Sequence, residues 1–178
     1  MPNDPELSAR IRRAIRDVAD FPKPGILFKD ITPVLGDAAL FRDATEAMAA
    51  PFSGHGISHV IAIESRGFIL GGPIAVSLSA GLVPVRKPGK LPAKCERVEY
   101  ALEYGTDVLE VHADAVRKSA RVLIVDDVLA TGGTAAATLA LIRRLGAEVV
   151  GLTFLIELAF LSGAARLPGE RIESVVNY

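Results

Sequence analysis

The chain predicts an α/β fold with a central parallel sheet covered by helices on both faces. Short runs rich in Val and Ile recur from Val60 onward: HVIAIE, GLVPVRK, RVLIVDD and EVVGLTFLIE. Segments of helical length, GFILGGPIAVSLSAG and TAAATLALIRRLGAE, separate the first two runs and the last two. A strand buried on both faces needs no polar side, so continuous apolar strands alternating with helices point to a covered parallel sheet. The 178 residues are 50% hydrophobic and 23% charged, enough to bury a real core in one domain.

The elements follow in order. Leu7, Ile11, Ile15 and Val18 recur at helical spacing and predict an amphipathic helix over 5–19. FPKPG ends it, because two close prolines cannot continue a helix. A second helix is predicted from Asp37, a plausible N-cap, to Ala50, with Pro51 as the stop. After the first strand–helix–strand unit comes KLPAKCERVEYALEYGTD, at 90–107, which is polar and weakly periodic. Such a segment inside a compact domain reads as a mobile loop or short hairpin, often functional. DVLEVH alternates as a strand should, Arg143 and Arg144 before Gly146 suit a helix C-terminus, and ESVVNY adds a last strand. No repeat, low-complexity tract or linker divides the chain, which reads as a single domain over 1–178.

Composition excludes several classes. Lys and Arg total 20 against 21 Asp and Glu, a net charge of −1, so the basic footprint of a nucleic-acid binder is missing. The single cysteine, Cys95, forbids an internal disulfide and is compatible with a reducing compartment. The N-terminal MPNDPELSARIRR has no apolar signal core, and no run approaches the ~20 residues of a membrane span. A soluble cytoplasmic protein with no membrane partner is expected. His55 and His59 are four apart but flank glycine without an HExxH glutamate, and His112 ends a strand; all three read as structural.

The chemistry gathers at VLIVDDVLATGGT, residues 122–134. In open α/β sheets ligands bind beyond the carboxyl ends of the strands, where Asp126 and Asp127 stand. Ala130, Thr131, Gly132, Gly133 and Thr134 then lead into a helix, offering backbone N–H groups, hydroxyls and a positive dipole end to a phosphate. The acids would repel phosphate and suit a ribose diol instead. A lone Asp-plus-Gly turn would read as a helix cap; two acids followed by ATGGT are harder to dismiss. Neither GxGxxG nor GxxxxGK[ST] occurs, so a monophosphate fits better than a dinucleotide.

VLIVDDVLATGGT resembles the signature of the type I phosphoribosyltransferases. FPKPGILFKDITPVL, ESRGFILGGPIA, VRKPGKLP and LEYGTDVLEVH, in this order, resemble the adenine-specific branch along nearly the whole chain. The resemblance implies a Rossmann-like type I phosphoribosyltransferase core at 37–178, with a small N-terminal hood at 1–36 and a mobile loop or hairpin at about 90–107. It implies a purine-salvage glycosyltransferase that passes the phosphoribosyl group of phosphoribosyl pyrophosphate to adenine, forming AMP and pyrophosphate. Family members are usually homodimers.

Site roles are carried over on matching positions. Asp126 and Asp127 would hold the ribose and favour its developing positive charge, and 130–134 would anchor the 5′-phosphate. Ser65, Arg66 and Gly67 would take pyrophosphate, with a non-proline cis bond at Glu64–Ser65, and Lys87 would add a second cation. Arg86 points to the opposite face if the strand continues, as a core-edge or dimer-interface residue. Leu27, Phe28, Lys29 and Val128 would receive adenine; relatives often carry Arg at the position of Lys29, and Lys lacks the planar fork. Glu103 resembles the family's proton-transfer residue, with Tyr104 and Lys90 in the same closing segment. Mg²⁺ would arrive with the diphosphate, none being held directly by the protein. Two rivals remain: a transferase for hypoxanthine, guanine or xanthine, and a sensor of phosphoribosyl pyrophosphate. A sensor needs an output domain, for which this chain has no spare segment.

Overall fold

In the computed structural model, which describes residues 4–101 and 106–178, Asp4 caps the first helix, α1 (Pro5–Ala14). Its carboxylate accepts the N–H groups of Glu6 and Leu7 at 2.9 and 3.3 Å. The helix ends at Ala14, short of the predicted Ala19, and Arg16–Ala19 forms strand β1 against β2 (Leu27–Asp30). A cross-strand interaction decides this. Arg16 stands opposite Asp30 and Asp17 opposite Lys29, with ion pairs of 3.9 and 2.6 Å. Pairing with a later segment therefore outweighs the helical spacing of Ile15 and Val18. FPKPG lies in the connection between the two strands, as its prolines require.

A short helix α2 (Thr32–Gly36), not foreseen, precedes α3 (Ala38–Ala49). Asp37 caps α3 as predicted, accepting from the N–H groups of Ala39 and Leu40 at 3.0 and 2.9 Å. The chain continues through β3 (His59–Ile63), α4 (Arg66–Ser77) and β4 (Gly81–Val85). A hairpin of β5 (Cys95–Ala101) and β6 (Thr106–His112) follows, then β7 (Arg121–Leu129), α5 (Gly133–Arg144), β8 (Glu148–Glu157) and β9 (Ile172–Asn177). The predicted parallel sheet has five strands in the order β4-β3-β7-β8-β9.

Period-two alternation on β7 feeds two cores. Leu123 and Val125 join Ile11, Met48, Leu70 and Ile74 on the face covered by α1, α3 and α4. Val122 and Ile124 join Leu109, Val111, Leu141 and Ile142 on the face covered by the hairpin and α5. The segment read as a loop or hairpin is thus largely a hairpin, paired from Cys95 opposite His112 to Ala101 opposite Thr106. Val98 and Tyr100 pack on the second core, while Arg97 and Glu99 are not part of it, so only one face carries apolar residues and the period looks weak. Residues 102–105, which carry the predicted Glu103 and Tyr104, lie outside the described residues. Among the described residues no helix is long and apolar enough to cross a membrane.

Candidate active site

Strand β7 does not stop before its acids but runs past them to Leu129, which fixes both carboxylates on a rigid element. A cavity of about 580 Å³ opens at this edge of the sheet. Leu27, Phe28 and Lys29 of β2, the turn Ser65–Arg66, Lys87, both acids, Val128, Ala130 and Thr134 all line it. Of the other residues singled out in the sequence, Gly67, Lys90, Thr131, Gly132 and Gly133 do not line it, and Glu103 and Tyr104 lie outside the described residues. A smaller cavity of about 80 Å³ lies within the turn 130–134 and is bounded also by Asp126 and Phe154.

The two acids have different surroundings. Asp127 is buried and accepts a hydrogen bond from Arg66 Nε, while Asp126 Oδ1 accepts the N–H of Asp127 at 2.9 Å. Burial, reinforced by the neighbouring Asp127 charge, pushes the Asp126 carboxyl well above the ordinary carboxylate range. A polar ligand that donates to Asp126 would relieve this. Arg66 begins α4 and its guanidinium lies 5.1 Å from the centre of the Phe28 ring, so one cation touches both acid pair and hood. Gly67 permits the approach of α4 to β7: a Cβ there would lie 2.9 Å from the Val125 carbonyl oxygen.

The Glu64–Ser65 bond is cis, as expected. Glu64 organises the end of β4. Its carboxylate accepts from Arg86 Nε and Arg86 Nη2, each at 3.2 Å, and from the Lys87 N–H at 2.9 Å. Desolvation opposes ionisation of Glu64, yet these bonds prevail and hold it below the ordinary range. Arg86 is thereby placed in an ion pair beside the site, and also donates to the Lys90 carbonyl at 3.1 Å. The Lys87 ammonium reaches Asp107 at 2.7 Å.

In the turn 130–134, Gly132 has φ +80°, and a Cβ on it would meet the Gly163 carbonyl oxygen at 2.3 Å. The turn is packed against another backbone, so its shape does not depend on a ligand. Tyr100 Oη lies 3.3 Å from Thr134 Oγ1. On the hood, the Lys29 ammonium is bonded to Asp17 at 2.6 Å and stands 4.1 Å from the centre of the Tyr178 ring.

Sequence reasoning missed Glu64, Tyr100, Asp107, Leu158 and Leu161 as cavity residues. For Tyr100 a signal existed: in CERVEYA, Val98 and Tyr100 alternate as on a half-buried strand. For Asp107 and Asp17 none existed, because each matters through a partner distant in sequence. His55 contacts Ser53 and Arg171, His59 contacts Ser58, and none of the three histidines lines the cavity. Among the described residues no group of three or more His, Cys, Asp or Glu is arranged to hold a metal ion.

Residues 37–167, which hold the acid pair and the turn 130–134, match the family model of the phosphoribosyl transferase domain. An adenine phosphoribosyltransferase of Myxococcus xanthus is 54% identical over 175 residues, 98% of this chain and 95% of the relative. The crystal structure of the Rhodothermus marinus adenine phosphoribosyltransferase superposes with a TM-score of 0.95 at 54% identity, covering 98% of this chain and 100% of that one. The Saccharomyces cerevisiae enzyme, complexed with an imino-altritol bisphosphate and adenine, gives a TM-score of 0.89 at 36% identity over 96% of this chain and 99% of that one. The chain belongs to the adenine phosphoribosyltransferase family.

Proposed function

We propose that the 580 Å³ cavity is the centre in which the family reaction takes place. The enzyme joins adenine to the phosphoribosyl group of phosphoribosyl pyrophosphate, giving AMP and pyrophosphate. The observation that carries the assignment is the unbroken run on β7 from the acid pair into the turn at Gly132, facing Arg66 and Lys87 across one space. The adenine bound in the yeast relative supports the choice of base.

In the reaction the adenine N9 lone pair forms the bond to ribose C1, the bond from C1 to the pyrophosphate oxygen breaks, and the N9 proton leaves. Positive charge develops on the ribose and negative charge on the leaving group. Fixed groups that oppose each charge lower the barrier without reorganising. Asp126 and Asp127 receive the ribose hydroxyls, and the acid pair favours the cationic sugar. The backbone and hydroxyls of 130–134 hold the 5′-phosphate at the start of α5. Ser65, Arg66, Gly67 and Lys87 receive pyrophosphate, Arg66 exchanging its bond to Asp127 for a phosphate oxygen. Leu27, Phe28 and Val128 wall the base, with Lys29 at its edge. Glu103 accepts or relays the N9 proton, and Tyr104 and Lys90 close over the substrates; both loop roles rest on the family resemblance.

Bound Mg²⁺ would neutralise diphosphate charge. With both acids given to the ribose hydroxyls, it would be held by substrate oxygens and water. The 1–36 segment serves as the base-binding hood. A homodimer is supported by the apolar surface of α4 and β4, where Ile69, Val76 and Leu82 are exposed. A cytoplasmic setting fits the single cysteine.

The test is pyrophosphate release from Mg²⁺-phosphoribosyl pyrophosphate with adenine, hypoxanthine, guanine or xanthine supplied separately. Release with adenine alone is expected. Release only with another base would keep the sugar-phosphate site and overturn the roles of Leu27 and Lys29. Donor binding with no release for any base would favour a sensor.

A further inference from the structure

Lys87 and Asp107 both line the cavity, and the Lys87 ammonium is already occupied, bonded to Asp107 Oδ2 at 2.7 Å. The two ends of this pair are anchored differently. The Lys87 backbone N–H is fixed to Glu64, whose carboxylate also takes two bonds from Arg86, while the ammonium is bonded to Asp107. The four-carbon stem leaves the charge able to swing, and the side chain is 58% exposed. Asp107 is the stationary partner: its other oxygen accepts the N–H of Val108 at 2.9 Å, and its side chain is only 20% exposed. Each group favours the charged form of the other, the bond to Lys87 holding Asp107 below its ordinary range and the bond to Asp107 holding Lys87 above its own.

We propose that Asp107 is an internal counter-anion for Lys87, which pyrophosphate must displace, so that Asp107 weakens pyrophosphate binding and speeds its release after each transfer. The inference rests on the reading of Lys87 as a pyrophosphate ligand. The ammonium has three N–H donors but a single charge, which Asp107 already partly neutralises, so its pull on a phosphate is fullest when the pair loosens. Asp107 does not become a buried unsatisfied anion when Lys87 leaves, because the Val108 N–H and solvent remain. The exchange is therefore cheap enough to reverse, as product release requires.

Position adds a second consequence. On the hairpin Asp107 stands opposite Tyr100, whose hydroxyl contacts Thr134 in the proposed 5′-phosphate turn. One register position of β5 and β6 therefore meets both ends of the sugar-phosphate site, at the base of the segment that carries Glu103. Asp107 is a positioning residue acting through Lys87, with no bond to substrate of its own.

The experiment is calorimetric titration of the full chain with inorganic pyrophosphate and Mg²⁺, together with product inhibition by pyrophosphate in the adenine reaction. The pair is exposed on the lysine side, so a modest effect is expected. Asp107→Asn should lower the Kd and the inhibition constant for pyrophosphate together, by about two- to fivefold, with the KM for adenine unchanged. Asp107→Glu, which keeps the charge, should bind pyrophosphate like the parent. In a Lys87→Met background, Asp107→Asn should no longer tighten binding. Unchanged or weaker pyrophosphate binding in Asp107→Asn would overturn the proposal, as would persistence of the tightening without Lys87. If Lys87→Met alone leaves pyrophosphate affinity intact, the assignment of Lys87 to the leaving group fails instead.

Discussion

At the scale of single residues, the acid pair shows how one dipeptide can carry two roles. Asp127 is bonded to a cation, whereas Asp126 is pushed toward its neutral form by burial and by its neighbour. Replacing either by Asn should cut the rate of AMP formation about a hundredfold or more, with far less effect on the melting temperature; equal losses of both would reduce the pair to a structural cap. Asp126 also makes a pH prediction. Its folded-state pKa is raised above the ordinary 3.8, so its contribution favours folding below that value and is lost as pH rises through the folded pKa. Denaturant midpoints measured across pH should show Asp126→Asn gaining on the parent as pH rises above 3.8. A constant difference would mean that Asp126 titrates normally. Arg66→Ala should weaken Mg²⁺-pyrophosphate binding roughly tenfold or more, read by titration. It should also lower stability, because it strips Asp127 of its partner. Unchanged affinity would remove Arg66 from the site.

At the scale of elements, the turn 130–134 is the part most dependent on exact shape. Gly132 combines a left-handed backbone with contact against the Gly163 carbonyl, so Gly132→Ala is strained twice. Donor binding should fall about tenfold or more, at a stability cost of ~1–3 kcal/mol. Normal donor affinity in that variant would show that the turn does not hold the 5′-phosphate. Helix α1 gives the complementary lesson. The spacing of Ile15 and Val18 is helical, but Asp17 and Lys29 pair across strands, and a contact between sequence-distant residues decided the ending. The hairpin is similar: its charged residues hide a strand whose apolar side rests on α5 and the second core.

At the scale of the whole molecule, the central sheet separates two cores. Ile74 on α4 belongs to the first and Ile142 on α5 to the second, and both are fully buried. Ile74→Val and Ile142→Val should each cost about 0.5–1.5 kcal/mol in denaturant unfolding. Their effects should add within about 0.5 kcal/mol, because the sheet stands between the sites. A larger departure would reveal coupling through β3 or β7. The same separation leaves the carboxyl end of the sheet free to meet the hood, Arg66 and the hairpin without disturbing either core.

What the sequence determined by itself was local and chemical. Apolar runs with Val and Ile specified strands, Asp37 specified a cap, and VLIVDDVLATGGT placed two acids and a glycine-rich turn on consecutive residues, where spacing along one chain fixes spacing in space. Which charges meet was set by how the elements pack together. Arg66 with Asp127, Lys87 with Asp107, Arg86 with Glu64 and Lys29 with Asp17 are pairs formed across elements. A side chain's period reports the face it occupies, whereas its ionic partner depends on how separate elements are brought to the same edge of the sheet.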